Sequence, residues 1–435
     1  MARGVRRRPN GAEPARTVDF QLVTQYYPPE RGAAQVRLSA VVAELVRAGL
    51  TVDVVTALPN YPLGRIFAGW SRRPVQQHEE GGAVVTRVWV WAAMGSGVGR
   101  ILNYLSFGVM SLLGIARARR ARWVLVEYPT LFGALPAVVV ARLRRQHVAV
   151  IVADLWVDAI VEIGTLSDGP LVALLRRAER WMLRRADTVT AVTEGVRDAL
   201  VDKGVDGRRL SWLPNGADTE LFSPGDADPQ LRASLGLASD EHLFLYAGTH
   251  GYVHGLEVVL AAAELLRDEP VRFLLVGGGS EKQDLVRRAA QLALTNVEFR
   301  DPVDPAEVAR LLRVSTAGLA TVREGDLYRS IRSAKVLPTM AAGRPVIYSA
   351  DDEGSRLVAA AGAGLVTPAG DAAALADAIR TLVADPADAE RMGRNGREWV
   401  LEHASWGHLV DEWLAQLGER PSGAPVPAAD TDASR

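Results

Sequence analysis

Short apolar runs alternate with longer amphipathic ones along most of this chain. Residues 18–24, 52–57, 123–126, 148–153, 188–192 and 210–213 read as strands. Between the first two, Leu38, Val41, Val42 and Leu45 recur at helical spacing, and Gly49 stands where a C-terminal cap belongs. A second series of strands runs through 243–247, 273–276, 297–300, 317–320 and 346–349, with a helix from near Gly255 whose inner face carries Leu256, Val259, Leu260 and Ala263. Residues 166–185, 372–383, 389–403 and 406–417 carry further helical patterns. Alternation of strand and helix predicts an α/β fold, and its restart at 243 predicts two domains. The junction falls in LPNGAD at 213–218, where Pro214 ends a strand and Gly216 permits a sharp turn.

The stretch RSIRSAKVLPTMAAGRP, 329–345, adds chemistry to this pattern. Arg329, Arg332 and Lys335 crowd the start of an apolar helical repeat of Ala334, Leu337, Met340 and Ala341, and Gly343 with Pro345 stops it. A helix beginning near Ser333 would aim free N–H groups and its positive end at the same spot, and cations there oppose the dipole unless an anion binds. The pattern therefore predicts a phosphate site.

Four other segments carry candidate chemistry. QYYPPERGAAQ, 25–35, joins the first strand to its helix; Gly32 and Ala33 leave room for a ligand beside the backbone, or form a tight packed turn. PNYPLG, 59–64, follows the second strand and is expected to expose Asn60 and Tyr61 at a strand's carboxyl end, where open α/β sheets bind ligands. Asp154 and Asp158 flank Trp156 at another strand end; they either receive hydroxyl groups or, for Asp158, cap a helix. GTHGYVHG, 248–255, follows a strand and opens a helix, so its backbone could cradle phosphate oxygens with His250 or His254 as donors. It lacks the spacing of the dinucleotide fingerprint, and the two histidines find no third metal ligand.

Residues 101–115 form the most apolar run, flanked by Arg100 and by Arg117, Arg119, Arg120 and Arg122. Fifteen residues are too few to span a bilayer, which leaves a helix in the headgroup region or a buried layer helix. No run in the sequence reads as long enough to cross a membrane. Cysteine is absent from all 435 residues, which excludes disulfides and thiolate metal sites and makes the cytoplasm the expected compartment. The net charge of −1 hides an asymmetry: residues 1–16 carry +4, residues 17–212 carry +7, and the rest −12. The first sixteen residues read as a disordered basic arm and residues 419–435 as a disordered tail. A basic first half suits an anionic membrane or a phosphorylated acceptor, and nothing points to nucleic acid.

LPNGAD at 213–218 with Phe222, MAAGRPVI at 340–347 and GLVTPAGDAAALADAI from Gly364 together resemble the retaining glycosyltransferases of family 4. QYYPPERGAAQ, PNYPLG and the DLW of 154–156 are similar to the bacterial branch that builds envelope polysaccharides and includes fucosamine transferases. The resemblance spans residues 18 to about 417 and implies the GT-B fold: two Rossmann-like doubly wound domains facing each other across a cleft, an acceptor-side domain at 17–213 and a donor domain at 217–403, with a helix at 404–418 packing back. It also implies transfer of a sugar, of the N-acetylhexosamine type, from a UDP-sugar to a hydroxyl of a lipid-linked or polysaccharide acceptor. No cofactor or metal is implied beyond the nucleotide sugar. The enzyme would work in the cytoplasm, peripherally at the inner face of the cell membrane through residues 100–122.

On this resemblance Arg332 and Lys335 neutralise the leaving diphosphate, with Asp154 beside the reacting sugar. Arg329, Ser330, Gly32, Ala33, Gly251 and His254 contact the donor, and the turn from Arg300 through Asp301 contacts its base. Asn60, Tyr61, Trp156 and Asp158 shape the acceptor side. One departure stands out. Many relatives carry two glutamates with seven residues between them, and the corresponding positions here are Ser330 and Pro338, which leaves Glu324 or Asp326 as alternatives for the ribose. A secondary-metabolite acceptor, a nucleotide-sugar epimerase and a binding protein with a decayed donor site are the competing readings.

Overall fold

The computed structural model describes residues 17–419 apart from 31, 62, 94–97, 129–130, 163–168, 326–327 and 330–331. The expected basic arm at 1–16 lies outside the described residues, as do Ser330, Asp326 and the tail from 420. Glu419, expected in that tail, accepts a hydrogen bond from Trp123 Nε1 at 2.8 Å and pairs with Arg122 at 2.8 Å. Two compact units make up the chain. One comprises residues up to Trp212 together with those from Trp413; the other comprises Leu213–Glu412 with Thr193–Gly195.

The first unit runs β1 (Thr17–Val23), α1 (Ala33–Arg47), β2 (Val52–Ala57), β3 (Val75–Glu80), β4 (Ala83–Val88), α2 (Val98–Arg117), β5 (Arg120–Glu127), α3 (Leu131–Leu143), β6 (His147–Val152), α4 (Trp156–Glu162), α5 (Pro170–Arg185), β7 (Thr188–Ala191), α6 (Glu194–Asp202) and β8 (Leu210–Trp212). Its sheet has the order β3-β4-β2-β1-β5-β6-β7-β8, parallel except for β3. Every residue of β2 is buried, as a parallel strand covered on both faces requires. The order reverses between β1 and β5, so the loops after these strands open a crevice of the kind that binds ligands in doubly wound sheets.

The second unit runs α7 (Pro229–Ser234), β9 (His242–Ala247), α8 (Glu257–Leu265), β10 (Val271–Val276), α9 (Lys282–Gln291), β11 (Val297–Arg300), α10 (Pro305–Val314), β12 (Ala317–Thr321), α11 (Val336–Ala341), β13 (Val346–Ser349), α12 (Glu353–Ala360), β14 (Gly364–Thr367), α13 (Ala372–Ala384), α14 (Pro386–His403) and α15 (Trp406–Gln416). Its parallel sheet has the order β11-β10-β9-β12-β13-β14, reversing between β9 and β12. Alternate residues feed two cores: Leu243 and Leu245 one, Phe244 and Tyr246 the other.

Two expectations change. The helix of the 329–345 stretch is only six residues and starts at Val336, with Lys335 at its N-cap. Ser333 therefore precedes it, its N–H directed at the Tyr348 hydroxyl at 3.4 Å, and so short a helix adds little dipole. Gly343 does end it, at φ 68°. The apolar run at 101–115 belongs to a helix of 20 residues, α2, which is long and apolar enough by length and composition to cross a membrane. Its buried face is nonetheless packed into the unit. A Cβ on Gly114 would lie 2.6 Å from a Val55 methyl, and one on Gly108 2.5 Å from the Phe132 carbonyl.

Candidate active site

In the second unit the chemistry gathers at the reversal point between β9 and β12. Lys335 lies against the loop that follows β9, its ammonium 4.7 Å from the centroid of the Tyr246 ring. The approach depends on Gly248, because a Cβ there would meet Lys335 Cε at 2.4 Å. Lys335 has no carboxylate partner among the described residues, and burial lowers its pKa to about 8. Arg332 sits 6.0 Å from the Trp399 ring; its Nε is buried without a hydrogen-bond partner, and desolvation lowers its pKa. Glu353 and Glu194 act on the Arg332 guanidinium from beyond ion-pair distance, and the Lys335 ammonium has no carboxylate partner among the described residues, so both cations are poised to accept an anion from outside.

The loop after β9 is shaped by the next loop of the sheet. His250 N–H donates to Gly278 O at 2.8 Å and Glu281 N–H to His250 O at 3.0 Å, which locks two glycine-rich turns together. Gly251 precedes the single turn Tyr252–His254, and Gly255 closes it in the left-handed region at φ 53°. The His254 carbonyl accepts from the Thr321 hydroxyl at 2.5 Å, and its ring faces Tyr246 at 6.3 Å. Burial, then the Lys335 charge, lower the His254 pKa to about 4; burial, Lys282 and Lys335 do the same to His250. Both imidazoles are thus neutral at pH 7 and can donate one ring N–H each. His254 Nδ1 and both ring nitrogens of His250 are buried without partners among the described residues.

Asp301 is exposed, but its carboxylate accepts from Lys282 Nζ at 2.7 Å, the same ammonium that donates to the carbonyls of Gly277 and Arg300 at 2.8 Å. Lys282, unflagged in the sequence, therefore fixes the turn expected beside the base. Arg329 is exposed beside a surface pocket that Glu324, Tyr328, Asp351, Asp352 and Pro368 also line. Glu324 and Asp351 are the exposed carboxylates there. Pro338 lies inside α11 and has no carboxylate to offer.

In the first unit the reversal point between β1 and β5 holds a buried network. Glu127 accepts from the Thr24 hydroxyl at 2.6 Å and from Arg37 at 3.2 Å, and desolvation raises its pKa. Asp154, exposed, adds negative potential to it. Gly32 is the N-cap of α1 with extended backbone, and Ala33 is the first helical residue. The 59–64 turn departs from expectation: Asn60 is buried, not exposed. The Glu30 carboxylate takes the N–H groups of Asn60 and Tyr61, each at 2.7 Å, while the Asn60 amide donates to Leu58 O at 2.9 Å and its oxygen accepts from Asn103 at 3.2 Å. Burial raises the Glu30 pKa to about 7 against the pull of those N–H groups.

Tyr61 remains accessible and joins an aromatic cluster that the sequence analysis only partly anticipated. The Arg100 guanidinium lies 5.7 Å from Tyr61, 5.9 Å from Tyr26 and 4.8 Å from Tyr104, to whose hydroxyl it donates at 2.8 Å. Trp156 stands edge-on to Tyr104 at 6.1 Å and to Phe132 at 5.9 Å. Asp158 does not pair with Asp154 as a hydroxyl receptor. Because α4 begins at Trp156, Asp158 falls in its first turn and binds Lys203 Nζ at 2.6 Å, an ammonium shared with the buried Glu179 at 2.8 Å.

Both units match family models: residues 227–399 match the glycosyl transferases group 1, and residues 32–216 the glycosyl transferase 4-like domain. WcaI of Escherichia coli, a glycosyl transferase assigned to colanic acid biosynthesis, is 30% identical over 338 residues, covering 75% of this chain and 81% of its own. The D-inositol 3-phosphate glycosyltransferase of Nocardia farcinica is 31% identical over 60% of each chain. Among solved structures, HepE of Anabaena in complex with UDP and glucose superposes with a TM-score of 0.68 over 92% of this chain and 99% of its own, at 14% identity, a likeness of fold alone. The two parallel sheets, their reversal points and these matches together place the chain among the GT-B glycosyltransferases of family 4.

Proposed function

We propose that this protein transfers a sugar of the N-acetylhexosamine type from a UDP-sugar to a hydroxyl of a lipid-linked or polysaccharide acceptor in envelope glycan synthesis, with retention at the anomeric carbon. The observation that carries the reading is the pair Arg332 and Lys335, cations that form no ion pair among the described residues, at the carboxyl end of a doubly wound sheet. As the anomeric carbon–oxygen bond breaks, negative charge grows on the diphosphate, and fixed cations stabilise that charge more than the ground state. His254 and the backbone after Gly248 are suited to the phosphate oxygens, and the turn held by Lys282 to the base. With the usual glutamate pair replaced, Glu324 and Asp351 beside Arg329 are the carboxylates positioned to take ribose or sugar hydroxyls.

The acceptor side belongs to the aromatic cluster around Arg100, with Tyr61, Tyr104 and Trp156 offering ring faces and edges to a sugar and Asp154 a free carboxylate. WcaI, assigned to colanic acid biosynthesis, supports an envelope polysaccharide, and HepE, crystallised with UDP, supports the nucleotide. Contact with the inner face of the cell membrane fits such an acceptor. Incubating the protein with a panel of nucleotide sugars and a lipid extract, followed by mass spectrometry, tests the reading directly. Lys335→Ala and Arg332→Ala should each lower turnover by roughly tenfold or more with the fold intact; wild-type rates in both would remove the phosphate role.

A further inference from the structure

Three buried amides belong to the aromatic cluster of the first unit, and each directly precedes one of its tyrosines in sequence: Gln25 before Tyr26, Asn60 before Tyr61 and Asn103 before Tyr104. They come from three segments, the loop after β1, the turn after β2 and the second turn of α2. Asn103 joins them. Its Oδ1 accepts from Gln25 Nε2 at 2.6 Å, and its Nδ2 donates to Asn60 Oδ1 at 3.2 Å and to the Trp91 carbonyl at 2.8 Å. Both hydrogens and the oxygen of this amide are thereby engaged. On packing grounds alone asparagine is a poor choice here, because it favours a helix less than leucine does and a buried amide is unfavourable unless bonded. The core beside α2 is built from Phe107, Ile115 and other apolar side chains. What the amide adds is reach: its three partners all lie off the helix, in segments that follow the carboxyl ends of β1, β2 and β4.

The tyrosines converge as the amides do. The rings of Tyr26 and Tyr61 meet edge to face at 5.6 Å, and all three tyrosines lie within cation–π distance of Arg100. Tyr61 reaches solvent and Arg100 and Tyr104 are half-buried, whereas Asn103 has no exposed surface. Glu30 takes the N–H groups of Asn60 and Tyr61 and so holds the middle segment by its backbone as well. We propose that Asn103 is a positioning residue of the acceptor side: with Gln25 and Asn60 it forms an amide clasp that sets Tyr26, Tyr61 and Tyr104 around Arg100 before an acceptor arrives. The proposal rests on the reading of this cluster as the acceptor site and adds how that site keeps its shape. A platform assembled from three separate segments would otherwise be ordered by the acceptor itself, which lowers affinity; with the clasp closed the rings already stand in place. Asn103, being fully buried, acts on an acceptor only through the tyrosines.

Asn103→Leu removes the clasp while keeping a side chain of similar size that favours the helix, and Gln25→Leu removes one arm of it. Phe107→Leu loosens the same helix in the core and serves as the structural control. Melting curves check that all three variants fold. In Asn103→Leu, hydrogen exchange at the N–H groups of Asn60 and Tyr61 should quicken by roughly tenfold. The KM for the acceptor recovered from the lipid extract should rise by roughly tenfold, with kcat and the affinity for UDP unchanged. Gln25→Leu should raise the same KM, and the double variant no further than Asn103→Leu alone, since the arm then has nothing to hold. Phe107→Leu should leave that KM in place. Unchanged exchange in Asn103→Leu overturns the proposal, as does a rise in KM that Phe107→Leu matches or that brings kcat and UDP affinity down with it. Wild-type protein that transfers no sugar from any nucleotide sugar defeats the acceptor reading instead, and the exchange rates then decide the clasp by themselves.

Discussion

Lys335 keeps its charge at pH 7 but is the group nearest to losing it, because burial has brought its pKa down to about 8. Affinity for a nucleoside diphosphate, measured by calorimetry, should fall as pH rises through that value, by about tenfold per unit above it. Lys335→Met should bind more weakly and lose the dependence. Glu30 works in the opposite setting, an acid whose buried carboxyl is raised from 4.5 to about 7. Its contribution to stability is full below 4.5, declines as pH rises towards 7, and then levels off. Glu30→Gln keeps an acceptor for the N–H groups of Asn60 and Tyr61 and should flatten that decline in melts between about pH 5 and 8. The cations of 329–335 were legible in the sequence because three crowd one short stretch. Glu30 was not, since a lone acid in a proline-rich turn looks solvated until the fold buries it.

At the scale of elements, the donor side depends on a lysine passing over a glycine. Gly248→Ala would place a methyl 2.4 Å from Lys335 Cε. The flexible lysine, more than the loop, should yield, so nucleotide affinity should drop by roughly tenfold while the urea midpoint of unfolding moves little. Strands buried on both faces, such as 52–57 and 243–247, announced themselves as apolar runs. The edge strand VQQHEE did not, because none of its residues is buried and its composition is polar. Helix α3 was hidden by Pro136 inside it, and α11 looked longer than it is because the apolar spacing of 334–341 continues upstream of its first turn.

For the molecule as a whole, two α/β halves followed from the alternation of strand and helix, whereas the reversal points depend on a strand order that the sequence does not display, and the charge network of Glu127, Arg37 and Thr24 joins residues about a hundred positions apart and has no local signature. The last helix matters most at this scale. Trp413 is fully buried in the first unit, its ring 6.3 Å from Phe20 and its indole N–H donating to the Thr190 hydroxyl at 3.1 Å. Trp413→Ala should cost about 3–5 kcal/mol in the unfolding of that unit, read by tryptophan fluorescence, and leave nucleotide affinity in place.

The position of that tryptophan sets an order on synthesis. The second unit is inserted, in sequence, between Trp212 and Trp413, and its two ends are tied to each other where Ala217 pairs with Ser405 and donates to Ala404 O at 2.8 Å. A nascent chain can therefore complete the later unit while the earlier one still lacks its Trp413 plug. At about 5–20 residues per second, the first two hundred residues wait some tens of seconds for the last turn of α15, holding an unfinished apolar core open on the ribosome.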